Sequence, residues 1–235
     1  MRTLGVVTAS VKPGLIPSAV LWDMDGTIID SEPYWVAAEI DLVHKFGGQW
    51  SHEDGLQLVG QGLTHSALVL QNAGVDLSVD DIVNTLTDHV IDLLQDSVPW
   101  RPGAVQMLTA VAEAGIPQAL VTMSIERMAR LVADVVPGTP LSVIVAGDHV
   151  TNPKPDPEAY MLGAQLLGVS ALDCVAFEDS NAGILSATSA GAVTIGLPNL
   201  IDISDSPADA FWPSLAEKSL TDLIATFANA RGVTA

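Results

Sequence analysis

The chain has 235 residues, 49% of them hydrophobic, with 28 Asp and Glu against 9 Lys and Arg for a formal charge of -19. That length suits one large core, or a core with a smaller inserted module. The surplus negative charge argues against nucleic acid or an anionic membrane surface as a partner, so an anionic ligand would need a local cation, a rare Lys or helix N-termini.

The opening stretch, Met1 to Pro17, has a short apolar patch broken by Lys12, Pro13, Gly14 and Pro17 and is expected to be a loose leader, not a signal peptide. No stretch approaches the roughly 18 apolar residues of a membrane span. Cys174, the only cysteine, excludes an intrachain disulfide and reads as a small buried side chain. A cytoplasmic monomer is expected.

Five short runs rich in Val, Ile and Ala read as buried strands: Ala19 to Trp22, Gln118 to Thr122, Ser142 to Ala146, Asp173 to Phe177 and Ala192 to Gly196. Helical patterns fall between the later ones. "GAVQMLTAVAEAG" ends in Gly115, "SIERMARLVADVV" has Ser124 as its expected N-cap, "DPEAYMLGAQLLG" has Asp156 as cap with Pro157 in the first turn, and "SNAGILSATSAG" ends at Gly191. Alternating strands and helices predict an α/β fold with a Rossmann-like parallel sheet. Ser31 to Pro99 departs from this, reading as helices with no strand, which predicts an α-helical cap domain over 32–99 inserted into a core formed by 1–31 and 100–235. Pro33 and the "VPWRPG" stretch are the expected hinges.

In open parallel sheets ligands bind beyond the carboxyl ends of the strands. The first predicted strand delivers "DMDGT", with Asp23 and Asp25 one residue apart, and the second delivers Thr122 and Ser124 at the opening of a helix. The third leads to Lys154 within "NPKPDP", and the fourth to Glu178 and Asp179. Carboxylates so close repel unless a cation or a shared proton relieves them. Magnesium takes oxygen ligands, typically one or two carboxylates plus substrate phosphate, and Asp23 with Asp179 could supply them. The Thr122 hydroxyl, the helix N-terminal amides after it and the Lys154 ammonium suit the remaining phosphoryl oxygens, and Gly26 leaves room for close backbone approach. The inventory points to a small phosphorylated metabolite as ligand and Mg2+ as cofactor.

"DMDGT", Thr122 at a strand end, Lys154 in "KPDPEAY" and the "EDS" of Glu178 to Ser180 resemble, in order, the four motifs of the haloacid dehalogenase superfamily. With the helical insert directly after the first motif, the chain is similar to the branch of sugar-phosphate phosphatases and β-phosphoglucomutase. The resemblance implies that Asp23 attacks phosphorus, that Asp25 serves as acid and then base, and that Thr122 and Lys154 stabilise the transferring phosphoryl group. It further implies that Asp25 offers the metal its backbone carbonyl, that Glu178 supports the metal from outside its direct ligands, and that the insert closes as a lid.

Other candidates are plainer. Met24 and Met123 read as core or backbone-contact positions beside the phosphate. Trp35 reads as core or hinge packing, or as facing substrate. "VGQGLTHSA" reads as an interhelical turn; the resemblance makes it a specificity loop, with Gln61, Leu63 and Thr64 as contacts to the leaving group. The five histidines show no paired zinc spacing.

The leading reading is a magnesium-dependent phosphatase acting on a sugar or polyol phosphate through an aspartyl phosphate. Against a hexose phosphate mutase stands the insert, where Lys45 is the only Lys or Arg between Ser31 and Pro99. In mutases of the resembled family the insert carries a His, an Arg and a Lys; Trp35 and Leu63 fall near the first two positions. Asp25 and the Glu178–Asp179 pair count against a haloacid dehalogenase, and Asp25 also counts against a regulatory phosphoacceptor module.

Overall fold

The computed structural model describes residues 16–138 and 140–232, so the expected leader lies outside the described residues except for Ile16 and Pro17. Strands β1 (Ala19–Trp22), β2 (Gln118–Val121), β3 (Leu141–Val145), β4 (Cys174–Glu178), β5 (Val193–Gly196) and β6 (Ala210–Phe211) form one sheet in the order β3-β2-β1-β4-β5-β6. Every pairing is parallel. This is the doubly wound Rossmann-like arrangement. Its central strands are apolar on both faces because helices cover both.

Between β1 and β2 come α1 (Glu32–Lys45), α2 (His52–Leu56), α3 (Leu63–Asn72) and α4 (Val79–Asp96), which pack on one another. Helix α4 shows why: Ile82, Leu86, Val90 and Leu94 lie on one buried stripe at helical spacing. The chain enters and leaves this segment side by side, with Asp30 N–H donating to Pro99 O at 2.8 Å and Arg101 N–H donating to Ile28 O at 2.9 Å. Pro33, expected at a hinge, sits in the first turn of α1, where its missing N–H costs nothing.

The remaining helices are α5 (Ala104–Glu113), α6 (Glu126–Asp134), α7 (Glu158–Leu166), α8 (Asn181–Ser189) and α9 (Leu220–Ala230). The period-two alternation of a strand divides the core. Val20 and Trp22 pack with Leu108, Met128 and Leu223 on one face, while Ala19 and Leu21 pack with Ala159, Tyr160 and Ala187 on the other. Trp22 stacks on Phe177 with ring centroids 4.4 Å apart, and its N–H donates to Gln118 Oε1 at 2.9 Å.

Two capping expectations are corrected. Ser124 is not the N-cap of α6; that position is Ile125, with no side-chain cap, because the Ser124 hydroxyl is directed at Asp25. Asp156 stands one residue before the N-cap of α7, Pro157, yet still serves the helix start by accepting from Glu158 N–H at 2.9 Å. The strand β6, two residues long at the sheet edge, lay below any periodic signal.

Candidate active site

The strand order reverses between β1 and β4, so the residues that follow them meet at the crevice where such sheets bind ligands. Asp23 follows β1 directly, and its N–H donates to Phe177 O at 3.1 Å. Lys154, brought from the far side of β3, donates to Asp23 Oδ1 at 2.7 Å, Glu178 Oε1 at 2.6 Å and Val121 O at 3.0 Å. All three ammonium protons are thus engaged, and the side chain is buried. Burial works against its charge, but Asp23 and Glu178 outweigh that and hold its pKa above the ordinary lysine value.

Glu178 is fully buried and fully used. Its Oε1 also accepts from Tyr160 O–H at 2.8 Å, and its Oε2 accepts from Asp179 N–H at 3.2 Å and the Ser180 hydroxyl at 3.2 Å. The geometry makes it the anchor of Lys154. Asp23 Oδ2 and Asp179 Oδ2, by contrast, are buried with no hydrogen-bond partner among the described residues. Burial raises the Asp23 pKa to about 7, with Glu178 adding to the rise and Lys154 opposing it. Burial likewise pushes Asp179 well above the usual carboxylate range, reinforced by Asp23 and Glu178 and opposed by Arg101.

Two buried carboxylate oxygens without donors are what a hard cation relieves. One oxygen from each of Asp23, Glu178 and Asp179 lies within 4.8 Å of the others. Gly26 completes the cradle: its φ is +78°, and a Cβ there would fall 1.8 Å from Asp179 Oδ2. The donor set is all oxygen and fits magnesium.

Asp25 is held differently. Its Oδ1 accepts from Ser31 Oγ at 2.5 Å and Trp35 Nε1 at 3.1 Å, and its Oδ2 accepts from Ser124 Oγ at 2.7 Å and Thr122 Oγ1 at 3.2 Å. Thr122 Oγ1 in turn accepts from Ser124 N–H at 3.0 Å. One aspartate is therefore tied to Lys154 and its neighbour to hydroxyls and an indole, so the two carboxyls occupy unlike environments.

One cavity is lined by Asp23, Asp25, Thr122, Met123, Ser124, Lys154 and Asp179 from the sheet side and by Trp35, Gln61 and Leu63 from the helical side. Met24 is buried away from it; its carbonyl accepts from the N–H groups of Thr27, Ile28 and Ile29 and closes the turn after the strand. Met123 Sδ accepts from Lys154 N–H at 3.3 Å. The turn read as Val59 to Ala67 is shorter than expected, because Leu63 and Thr64 already belong to α3. Thr64 is exposed and does not line the cavity.

Several participants left no mark in the pattern. Ser31, Tyr160 and Arg101 act through contacts across the fold; Arg101 donates to the Gly26 and Pro198 carbonyls. Glu32 and Glu39 line the cavity from α1 and are buried. Carboxylates at i and i+7 of an otherwise apolar helical face were the available signal.

A Rossmann-like core whose strand ends join a DxD pair, a hydroxyl, a lysine and an acidic pair is the architecture of a hydrolase. The chain belongs to the haloacid dehalogenase-like hydrolase family, whose model matches residues 20–197. It is 32% identical over 207 residues to hexitol phosphatase A of Escherichia coli, covering 85% of this chain and 88% of that one. It is 29% identical over 233 residues to phosphoglycolate phosphatase of Pseudomonas putida, covering 94% and 84%. Among solved structures, CbbY from Rhodobacter sphaeroides in complex with phosphate superimposes with a TM-score of 0.78 at 26% identity, covering 88% of this chain and 99% of that one.

Proposed function

We propose that the protein is a magnesium-dependent phosphatase that hydrolyses a sugar or polyol phosphate through an aspartyl phosphate on Asp23. Its class, phosphoric monoester hydrolase, follows from the family and the phosphatases it resembles. The observation that carries the finer reading is the pair of donorless buried oxygens on Asp23 and Asp179 beside a fully engaged Lys154. Residues 32–99 act in this reading as a cap over a core of 1–31 and 100–235.

Asp23 attacks phosphorus through one of its carboxylate oxygens as the leaving oxygen departs. Asp25 donates the proton to that oxygen and then takes one from the hydrolytic water. Ser31 and Trp35 hold Asp25 on its Oδ1 side, while Thr122 and Ser124 exchange Oδ2 for the phosphoryl oxygens when substrate enters. Lys154, anchored by Glu178, stabilises phosphoryl charge without moving. Magnesium, held by Asp23, Asp179 and the Asp25 main-chain carbonyl with Glu178 beyond its direct ligands, would neutralise charge on the phosphoryl group.

The helical segment disfavours a mutase. Its only Lys or Arg, Lys45, is exposed, and the cavity meets Glu32 and Glu39 where a second phosphate would need cations. The test is turnover of p-nitrophenyl phosphate and of a panel of sugar, polyol and nucleotide monophosphates, with magnesium and with EDTA. Magnesium-dependent release of inorganic phosphate from polyol or sugar phosphates supports the reading, and activity indifferent to EDTA contradicts it.

A further inference from the structure

Glu39 sits two turns beyond Glu32 on α1 and is only 5% exposed, yet it borders the same cavity as Asp23 and Asp25. Its Oε2 accepts from Trp50 Nε1 at 3.1 Å, while Oε1 receives no hydrogen bond among the described residues. The surroundings are shaped to that carboxyl. At Gly55 a Cβ would stand 3.0 Å from Glu39 Oε2 and 2.9 Å from Val36 Cγ2, so a side chain there would crowd the group. One oxygen of this carboxyl is oriented by an indole, and the other is not closed off from the cavity and is free to accept from a donor that enters it. Burial raises its pKa to about 7, in keeping with an environment that wants a further hydrogen-bond donor.

Given the phosphatase reading above, we propose that Glu39 determines specificity by accepting a hydrogen bond from a hydroxyl of the leaving group. The enzyme then prefers monophosphates of neutral polyhydroxy alcohols to esters whose leaving group carries a carboxylate or a second phosphate. Two further features of the cavity agree. Glu32 adds a second carboxyl on the helical side, and no Lys or Arg of residues 32–99 reaches the cavity to balance an anionic leaving group. An anion placed among these groups would meet acceptors and no cation, and would be desolvated unpaired. A hydroxyl meets an acceptor.

The test compares kcat/KM of wild type, Glu39→Leu and Glu39→Gln on a hexitol 6-phosphate, 2-phosphoglycolate and p-nitrophenyl phosphate, each ratio taken within one preparation so that the folded fraction cancels. Wild type should favour the hexitol phosphate over 2-phosphoglycolate. Glu39→Leu should lower the ratio of hexitol phosphate to p-nitrophenyl phosphate by about 10- to 100-fold, the weight of a hydrogen bond to a charged acceptor. Glu39→Gln, which keeps an acceptor oxygen, should restore most of that ratio. A ratio unchanged in Glu39→Leu, or a wild type that turns over p-nitrophenyl phosphate but favours 2-phosphoglycolate, overturns the assignment of Glu39 and leaves the phosphatase reading standing. A wild type inert towards all three esters removes the phosphatase reading itself.

Discussion

Lys154 and Asp23, 131 residues apart in the chain, meet at 2.7 Å in a buried ion pair that Glu178 closes from the other side. Breaking such a pair by removing one partner typically costs about 3–5 kcal/mol, because the charge left behind has neither water nor counter-ion. Lys154→Ala should therefore lower stability in urea unfolding by that order and reduce kcat by about 100- to 1000-fold, the weight of one fixed group that stabilises transition-state charge. Unchanged unfolding would show that the triad carries no structural load.

Gly183→Ala tests the anchor from behind. Alanine in a helix is favoured over glycine by about 1 kcal/mol, but a Cβ on Gly183 would fall 1.9 Å from Glu178 Oε1. Overpacking of that kind costs roughly 1–3 kcal/mol, and here it also dislodges the group that orients Lys154. The expected result is a lower melting temperature together with lower kcat. A stabilised, fully active variant would contradict the placement of Glu178.

Asp25→Asn should cut kcat by about 100- to 10,000-fold, the range of acid-base assistance. Trp35→Phe keeps an aromatic ring but removes the N–H that reaches Asp25 Oδ1 together with part of the buried ring volume. It should lower kcat by a smaller factor than Asp25→Asn, which steady-state rates of the two variants would read.

Stability should also report the buried carboxyl on α1. Glu39 is raised from the ordinary 4.5 to about 7 by burial, only partly opposed by the Trp50 bond. The folded state therefore holds its proton more tightly than the unfolded chain, so this group favours folding below pH 4.5 and that contribution is lost as pH climbs through about 7. Melting temperature of the wild type should fall from pH 5 to pH 8, and Glu39→Gln should flatten the fall. Identical slopes in both proteins would place the titration elsewhere.

The parts of this molecule legible in the sequence are those with a local signature. β1 reads as buried because all of Ala19 to Trp22 is apolar, and Asp23, Thr122, Lys154 and Asp179 follow from what each strand end delivers. Contacts that depend on how distant elements dock were not legible. Ser124 looks like an N-cap until the fold sets Asp25 within 2.7 Å of its hydroxyl, and Tyr160 looks like one more apolar helix residue until it meets Glu178. Glu39 shares the buried face of α1 with Glu32 while Asp41 and Lys45 face water, and the position of the cavity gives that pair its meaning.

The central claim is that Asp23 is the group that takes the phosphoryl. Asp25→Asn protein, mixed with substrate and magnesium and acid-quenched, should carry an acyl phosphate that borohydride reduces, converting residue 23 to homoserine in the peptide identified by mass spectrometry. Homoserine at position 23, absent from Asp23→Asn treated in the same way, is the expected result. Reduction at another aspartate, or Asp23→Asn that keeps hydrolysing substrate at an appreciable rate, would contradict the account.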